Sequence, residues 1–200
     1  MSPTKARDEV CRVARTDNTA ALELARQIES PWFGCQALAY VARYAPNEHV
    51  VEYAEEALRV GRRNDDLFGV VGSSAWVVRA LIERNATDLL DKVLAELVET
   101  TNQIENMASR SEAVFSLFQS AFPIDSERWK MLFEALMRAT EPMLHWRQAR
   151  NLRDAFLMIA KVDRRFVDEY IHRVGDEKTR RKIQDRIASG ERLLPRGFFQ

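Results

Sequence analysis

The chain has 200 residues, 46% of them hydrophobic and 30% charged, which excludes a disordered polymer and suffices for a continuous apolar core. No stretch approaches the roughly 18 consecutive apolar residues that cross a bilayer, and Met1-Ser2-Pro3-Thr4-Lys5 runs into Arg7-Asp8-Glu9 without a hydrophobic signal core. These features predict a cytoplasmic protein with no membrane partner. The formal charge is zero, but residues 1–137 carry 15 basic and 21 acidic side chains and residues 138–200 carry 15 and 9, so an acidic body precedes a basic C-terminal third.

With 7 Gly, 6 Pro and no stretch rich in either, no flexible linker is evident, and one domain over residues 1–200 is expected, with 190–200 as a tail. Cys11 and Cys35 have neither C-x-x-C spacing nor a nearby histidine and read as buried, reduced thiols.

Apolar residues recur at i, i+3, i+4, i+7 along the chain, the mark of helices with one buried face. Ala21, Leu24, Ala25 and Ile28 start the series after Asp17, and Leu38, Val41, Ala42 and Ala45 continue it after Ser30-Pro31. Leu90, Val93, Leu94 and Leu97 follow, then Val114, Leu117, Phe118 and Ala121, then Trp129, Leu132, Phe133 and Leu136. Val167, Tyr170, Ile171 and Val174 give a late example, and no run alternates with the period of a strand. Asp17, Ser30, Asn47, Asp65, Thr87, Asn106, Asp125, Asp163 and Asp176 are the expected N-caps, because their side chains accept from the first free N–H groups of a helix. Pro46, Pro123 and Pro142 fall between the periodic segments. The predicted class is all-α, with about ten or eleven helices in antiparallel pairs.

Ala37, Ala75, Ala113 and Ala155 stand at the centre of every second predicted helix, at intervals of 38, 38 and 42 residues. Two helices and two turns need a period of this size, and a small residue at one fixed position lets neighbouring backbones approach. On these residues the chain, over about 17–189, resembles the HEAT-like and tetratricopeptide-like α-solenoids; the period favours the HEAT-like group, at about 40 residues, over the tetratricopeptide group, whose W-x-x-L-G-x-x-Y pattern is absent. The resemblance implies an α-α superhelix of about five helix pairs. A compact helical bundle is the alternative.

The densest run of functional side chains is His145-Trp146-Arg147-Gln148-Ala149-Arg150-Asn151-Leu152-Arg153-Asp154. On a helix Trp146, Arg150 and Asp154 share a face, either as a binding column or as a surface Arg–Asp pair beside a packing tryptophan. In residue type the trio is similar to the groove of HEAT-like DNA glycosylases, which implies base recognition. Arg164 and Arg165, with Lys178, Arg180, Arg181, Lys182 and Arg186, predict a cationic surface over the last helices, interleaved with acids that weaken it or suit a capping repeat. His49, His145 and His172 lack a second ligand at metal-site spacing, and there is no Gly-rich phosphate loop, G-x-S-x-G or H-E-x-x-H, so no catalytic residue, metal or cofactor is implied. Leu193, Leu194, Phe198 and Phe199 are expected to fold back over the last helix pair or to dock on another protomer.

A non-enzymatic protein-interaction module with a protein partner is the expected function, using Trp146, Arg147, Arg150, Arg153, Asp154, Arg180, Arg181 and Arg186. The alternatives are a HEAT-like nucleic-acid-binding protein, including a DNA glycosylase-like base-excising enzyme, that uses Arg147, Arg150, Arg153 and the basic terminal helices, and a groove for a small ligand. The oligomeric state is not indicated.

Overall fold

The 3.6-residue periodicity is realised as eleven α-helices, and no strand occurs among the residues described. The structure, a computed structural model, describes residues 1–199 except the side chain of Phe198. The expected role of Phe198 lies outside the described side chains. The helices group into two compact units, Met1–Gln103 and Ile104 onward. The boundary falls in the short connection after Asn102, which has neither Gly nor Pro and so leaves no compositional mark. The first unit holds 12 basic and 16 acidic side chains and the second 18 and 14.

The first unit contains α1 (Pro3–Val13), α2 (Asn18–Arg26), α3 (Pro31–Tyr44), α4 (Val50–Gly61), α5 (Leu67–Glu83) and α6 (Thr87–Asn102). Helix α3 packs on α1, α2, α4 and α5, and α5 also meets α4 and α6. Residues 71–82 of α5 are all buried, which explains why its apolar run is nearly unbroken rather than one-sided. Gly72 lies against the Trp32 ring, and a Cβ there would come within 2.7 Å of it, so close packing accounts for this glycine. Arg7 lies over Trp76, at 5.3 Å from guanidinium carbon to ring centroid. Arg15 and Arg43 both lie over Tyr40 and Tyr44, and Arg43 pairs with Glu83 of α5, tying the faces of α1, α3 and α5 together.

The second unit contains α7 (Met107–Ala121), α8 (Ser126–Ala139), α9 (Trp146–Ile159), α10 (Arg164–Tyr170) and α11 (Glu177–Ala188). Its core is aromatic: the Phe133 ring of α8 meets Phe118 of α7, Phe156 of α9, and Phe166 and Tyr170 of α10 at centroid distances of 5.0–6.2 Å. Ala37, Ala75, Ala113 and Ala155 are fully buried. Helices holding successive members of this series touch, α3 with α5 and α7 with α9.

Asp17, Asn106, Asp125, Asp163 and Asp176 accept from backbone N–H groups as expected, and Ser30 stands at an N-cap without such a bond. Three expectations need correction. Asp66, not Asp65, caps α5, and Ala86 precedes α6, so Thr87 is its first helical residue. Asn47 opens a 3-10 turn, which leaves His49 before α4. Past the end of α11, Gly190 at φ +75 is a residue without Cβ whose own N–H donates to the Ile187 carbonyl while the Glu191 N–H donates to that of Arg186.

No helix is long and apolar enough to cross a membrane, among the described residues. Cys35 is buried and Cys11 half-buried, both free, and burial pushes each thiol up to about 12. Both should therefore resist a thiol-specific reagent at pH 8 in the folded chain and react together once it is unfolded in guanidinium. Reaction of either thiol in the native state at the unfolded rate would contradict this burial.

Candidate functional site

The connection between α8 and α9 sets the first wall of the site. Gln148 is completely buried, yet all its capacity is used: Nε2 donates to the carbonyls of Ala139 and Pro142, both at 3.2 Å, and Oε1 accepts from the N–H groups of Leu144 at 3.1 Å and His145 at 2.9 Å. His145 Nδ1 accepts from Arg147 N–H at 3.1 Å and closes the start of α9. One amide thus fixes the loop that presents Met143, Leu144 and Trp146. Leu144 is 74% exposed and Trp146 62%, so this tryptophan is not the packing residue that a bland reading of its spacing expects.

Helix α11 supplies the facing wall. Asp176 accepts from Thr179 N–H at 2.7 Å, and the Thr179 hydroxyl and N–H hold its carboxyl below the usual range. Thr179 and Ile183 point into the unit and pack α11 on α9, which leaves Lys178 and Lys182, one turn apart, toward the opening. Between the walls lies a cleft of about 550 Å³. Met143, Leu144, Trp146 and Ala149 give it an apolar lining, and Arg150 and Arg153 on the α9 wall and Lys178 and Lys182 on the α11 wall supply cations beside the Asp176 carboxylate.

The charges in the cleft are unequally committed. Arg150 lies 5.4 Å from the Trp146 ring and, rather than pairing with Asp154, donates to Glu112 of α7 at 2.7 Å. Asp154 is held by Arg153 at 3.0 Å. Among the described residues Lys178 and Lys182 make no salt bridge, although the Lys178 charge helps to hold the Asp176 carboxyl of the same cleft low, so most of their charge faces solvent and whatever enters. Arg147 lies over the Trp146 ring at 5.6 Å and lines a neighbouring cleft with Asn106 and Ser109.

The remaining expected residues disperse. Arg181 pairs with Glu177 at 3.0 Å beside Lys178 and Lys182, Arg186 pairs with Glu191, and Arg180 donates to the Val174 carbonyl at 3.1 Å. Arg164 and Arg165 pair with Asp168 and Glu169 one turn on. The cationic surface expected over the last helices is therefore largely neutralised within itself. Lys178 and Lys182 stand out only once the helix packing shows which cations make no salt bridge. No group of three or more histidine, cysteine or carboxylate side chains is placed to hold a metal ion, among the described residues.

The tail reaches α7. Arg196 N–H donates to Gln119 Oε1 at 2.9 Å, the Arg196 guanidinium pairs with Glu112, and Phe199 is buried. Glu112 thus carries both Arg150 and Arg196. Burial alone would raise its pKa, but the two guanidiniums more than reverse this and hold it low. A carboxylate whose pKa falls on folding stabilises above its unfolded value, near 4.3, and the contribution is lost as the pH falls through the lower folded value. Glu112→Gln should cost about 1–2 kcal/mol at pH 7, less than the loss of a fully buried pair because both arginines are partly in water. Urea unfolding at pH 7 and pH 3 checks this: the gap between the two stabilities should narrow in the variant, and an unchanged gap would contradict it.

Comparison of the chain with protein-family models, with curated proteins and with solved structures finds no match.

Proposed function

We propose that the chain is a non-enzymatic protein-interaction module that takes an acidic segment of a partner protein in the cleft between α9 and α11. The observation that carries this reading is the pair Lys178 and Lys182, cations that make no salt bridge among the described residues, across the cleft from the exposed Trp146 and Leu144. A cleft with an apolar loop at one end and a line of cations on α9 and α11 matches a peptide with carboxylates along one edge. A nucleic-acid strand needs a wider field, and the arginines that would supply it are paired with Glu177, Asp168, Glu169 and Glu191. We place the module in a HEAT-like stack. That reading is supported by contacts one period apart in sequence, Arg150 to Glu112 and Asn151 to Ser111, beside the fully buried Ala113 and Ala155.

Fluorescence anisotropy tests the proposal with a labelled Glu- and Asp-rich peptide and with labelled single- and double-stranded DNA and RNA, at low and at physiological salt. The peptide should bind, and binding should weaken in the Trp146→Ala variant. Nucleic-acid binding that survives physiological salt and is lost in Arg150→Ala or Arg181→Ala would replace this reading with a nucleic-acid one.

A further inference from the structure

Next to the cationic cleft lies a second cavity of about 300 Å³, formed by Met137 of α8, Pro142 and Met143 of the following loop, Leu152 of α9 and Val174 before α11. Met143 and Asp176 line both, so the two spaces adjoin. Met137, Leu152 and Val174 are buried side chains, which makes the floor apolar, while Glu141 and Asp176 line the same cavity. A carboxylate brought here would meet two others, whereas an aliphatic side chain would find an apolar floor and a volume at the lower end of ligand-sized cavities.

We infer that the partner segment is recognised as an acidic stretch carrying one aliphatic anchor, with the anchor seated between Met137, Met143, Leu152 and Val174 and the carboxylates following toward Lys178 and Lys182. This rests on the reading of the cleft as an acidic-peptide site and adds the anchor and the order. Asp176 to Lys182 is six residues of helix, about 9 Å along the axis at 1.5 Å per residue. An extended peptide covers that distance in about three residues at roughly 3.3 Å each. The acidic positions therefore fall two to four residues from the anchor, on one side of it. Charge complementarity names the occupant, since Lys178 and Lys182 with Arg150 and Arg153 outnumber the Asp176 carboxylate in the cleft and select carboxylates, whereas the anchor cavity holds Glu141 and Asp176 and, among the described residues, no cation.

The test uses the full chain and three labelled peptides: a Glu/Ser 12-residue peptide with one Leu placed three residues from a Glu pair, the same peptide with Leu replaced by Ser, and the first with its Glu pair replaced by Lys. The first should bind at least tenfold more tightly than either of the others. In Met143→Ser, on the exposed loop, the preference for Leu should shrink to less than threefold while the preference for Glu over Lys persists. Equal binding of the Leu and Ser peptides to the unaltered chain would overturn the anchor and leave the acidic-segment reading standing. Failure of all three to bind would overturn that reading, and the anchor with it. Self-association of the chain that disappears in Met143→Ser would make a second copy the occupant and also overturn the inference.

Discussion

Phe133→Ala should destabilise the protein by about 3–5 kcal/mol, the cost of removing a phenyl ring from a core that cannot collapse around the loss. Phe133 is completely buried, and its ring touches partners from three other helices: Phe118 on α7, Phe156 on α9, and Phe166 and Tyr170 on α10. Four edge-on or tilted contacts converge on one side chain, so the void would face several rings at once. Thermal unfolding should show a Tm lower by about 10 °C or more in the variant. Leu144→Ala, at a side chain 74% exposed, is the control and should leave the Tm nearly unchanged. A loss below about 1 kcal/mol for Phe133→Ala would mean that the aromatic cluster is not the core of the second unit.

The second large effect concerns binding. Lys178→Glu combined with Lys182→Glu should weaken an acidic peptide at least tenfold, about 1.4 kcal/mol, because two attractive contacts become like-charge ones. Neither lysine makes a salt bridge among the described residues, and only the exposed attraction of Lys178 to Asp176 is lost on reversal, so stability should change little. Salt separates electrostatics from general damage. Affinity of the unaltered chain should fall as ionic strength rises from about 10 to 150 mM, where the Debye length shortens from roughly 30 to 8 Å, while the residual affinity of the variant should hardly change. Equal affinities in the two chains would remove the cationic wall from the account.

What was legible in the sequence was local. Spacing of apolar residues marked the helices, because each buries one face, and Asp17, Asn106, Asp125, Asp163 and Asp176 marked their starts by the chemistry of an unpaired N–H. Asp65 and Asp66 are adjacent and chemically equal, and only the chain path into α5 selects the second. The run around Trp146 was visible because its functional side chains are contiguous. The fate of their charges was not, since Arg150 turns to Glu112, 38 residues earlier, instead of Asp154. That separation equals the interval from Ala75 to Ala113, so the repeat period, applied to charged residues as well as small ones, does point to this pair. The role of Lys178 and Lys182 was hidden for a related reason. Seven basic residues of the last helices look alike in sequence, and only packing shows that Arg164, Arg165, Arg181 and Arg186 are occupied by neighbouring carboxylates.

The cleft between α9 and α11 is tested most directly by the indole N–H signals of the ¹⁵N-labelled chain during titration with the Leu-containing acidic peptide. The chain has four tryptophans, of which Trp76 and Trp129 are buried, Trp32 packs against Gly72, and Trp146 lines the cleft. The Trp146 signal, identified by its loss in Trp146→Phe, should move saturably while the other three stay in place. A bound peptide that leaves Trp146 unmoved, or that shifts Trp32 or Trp76 instead, would contradict binding in this cleft.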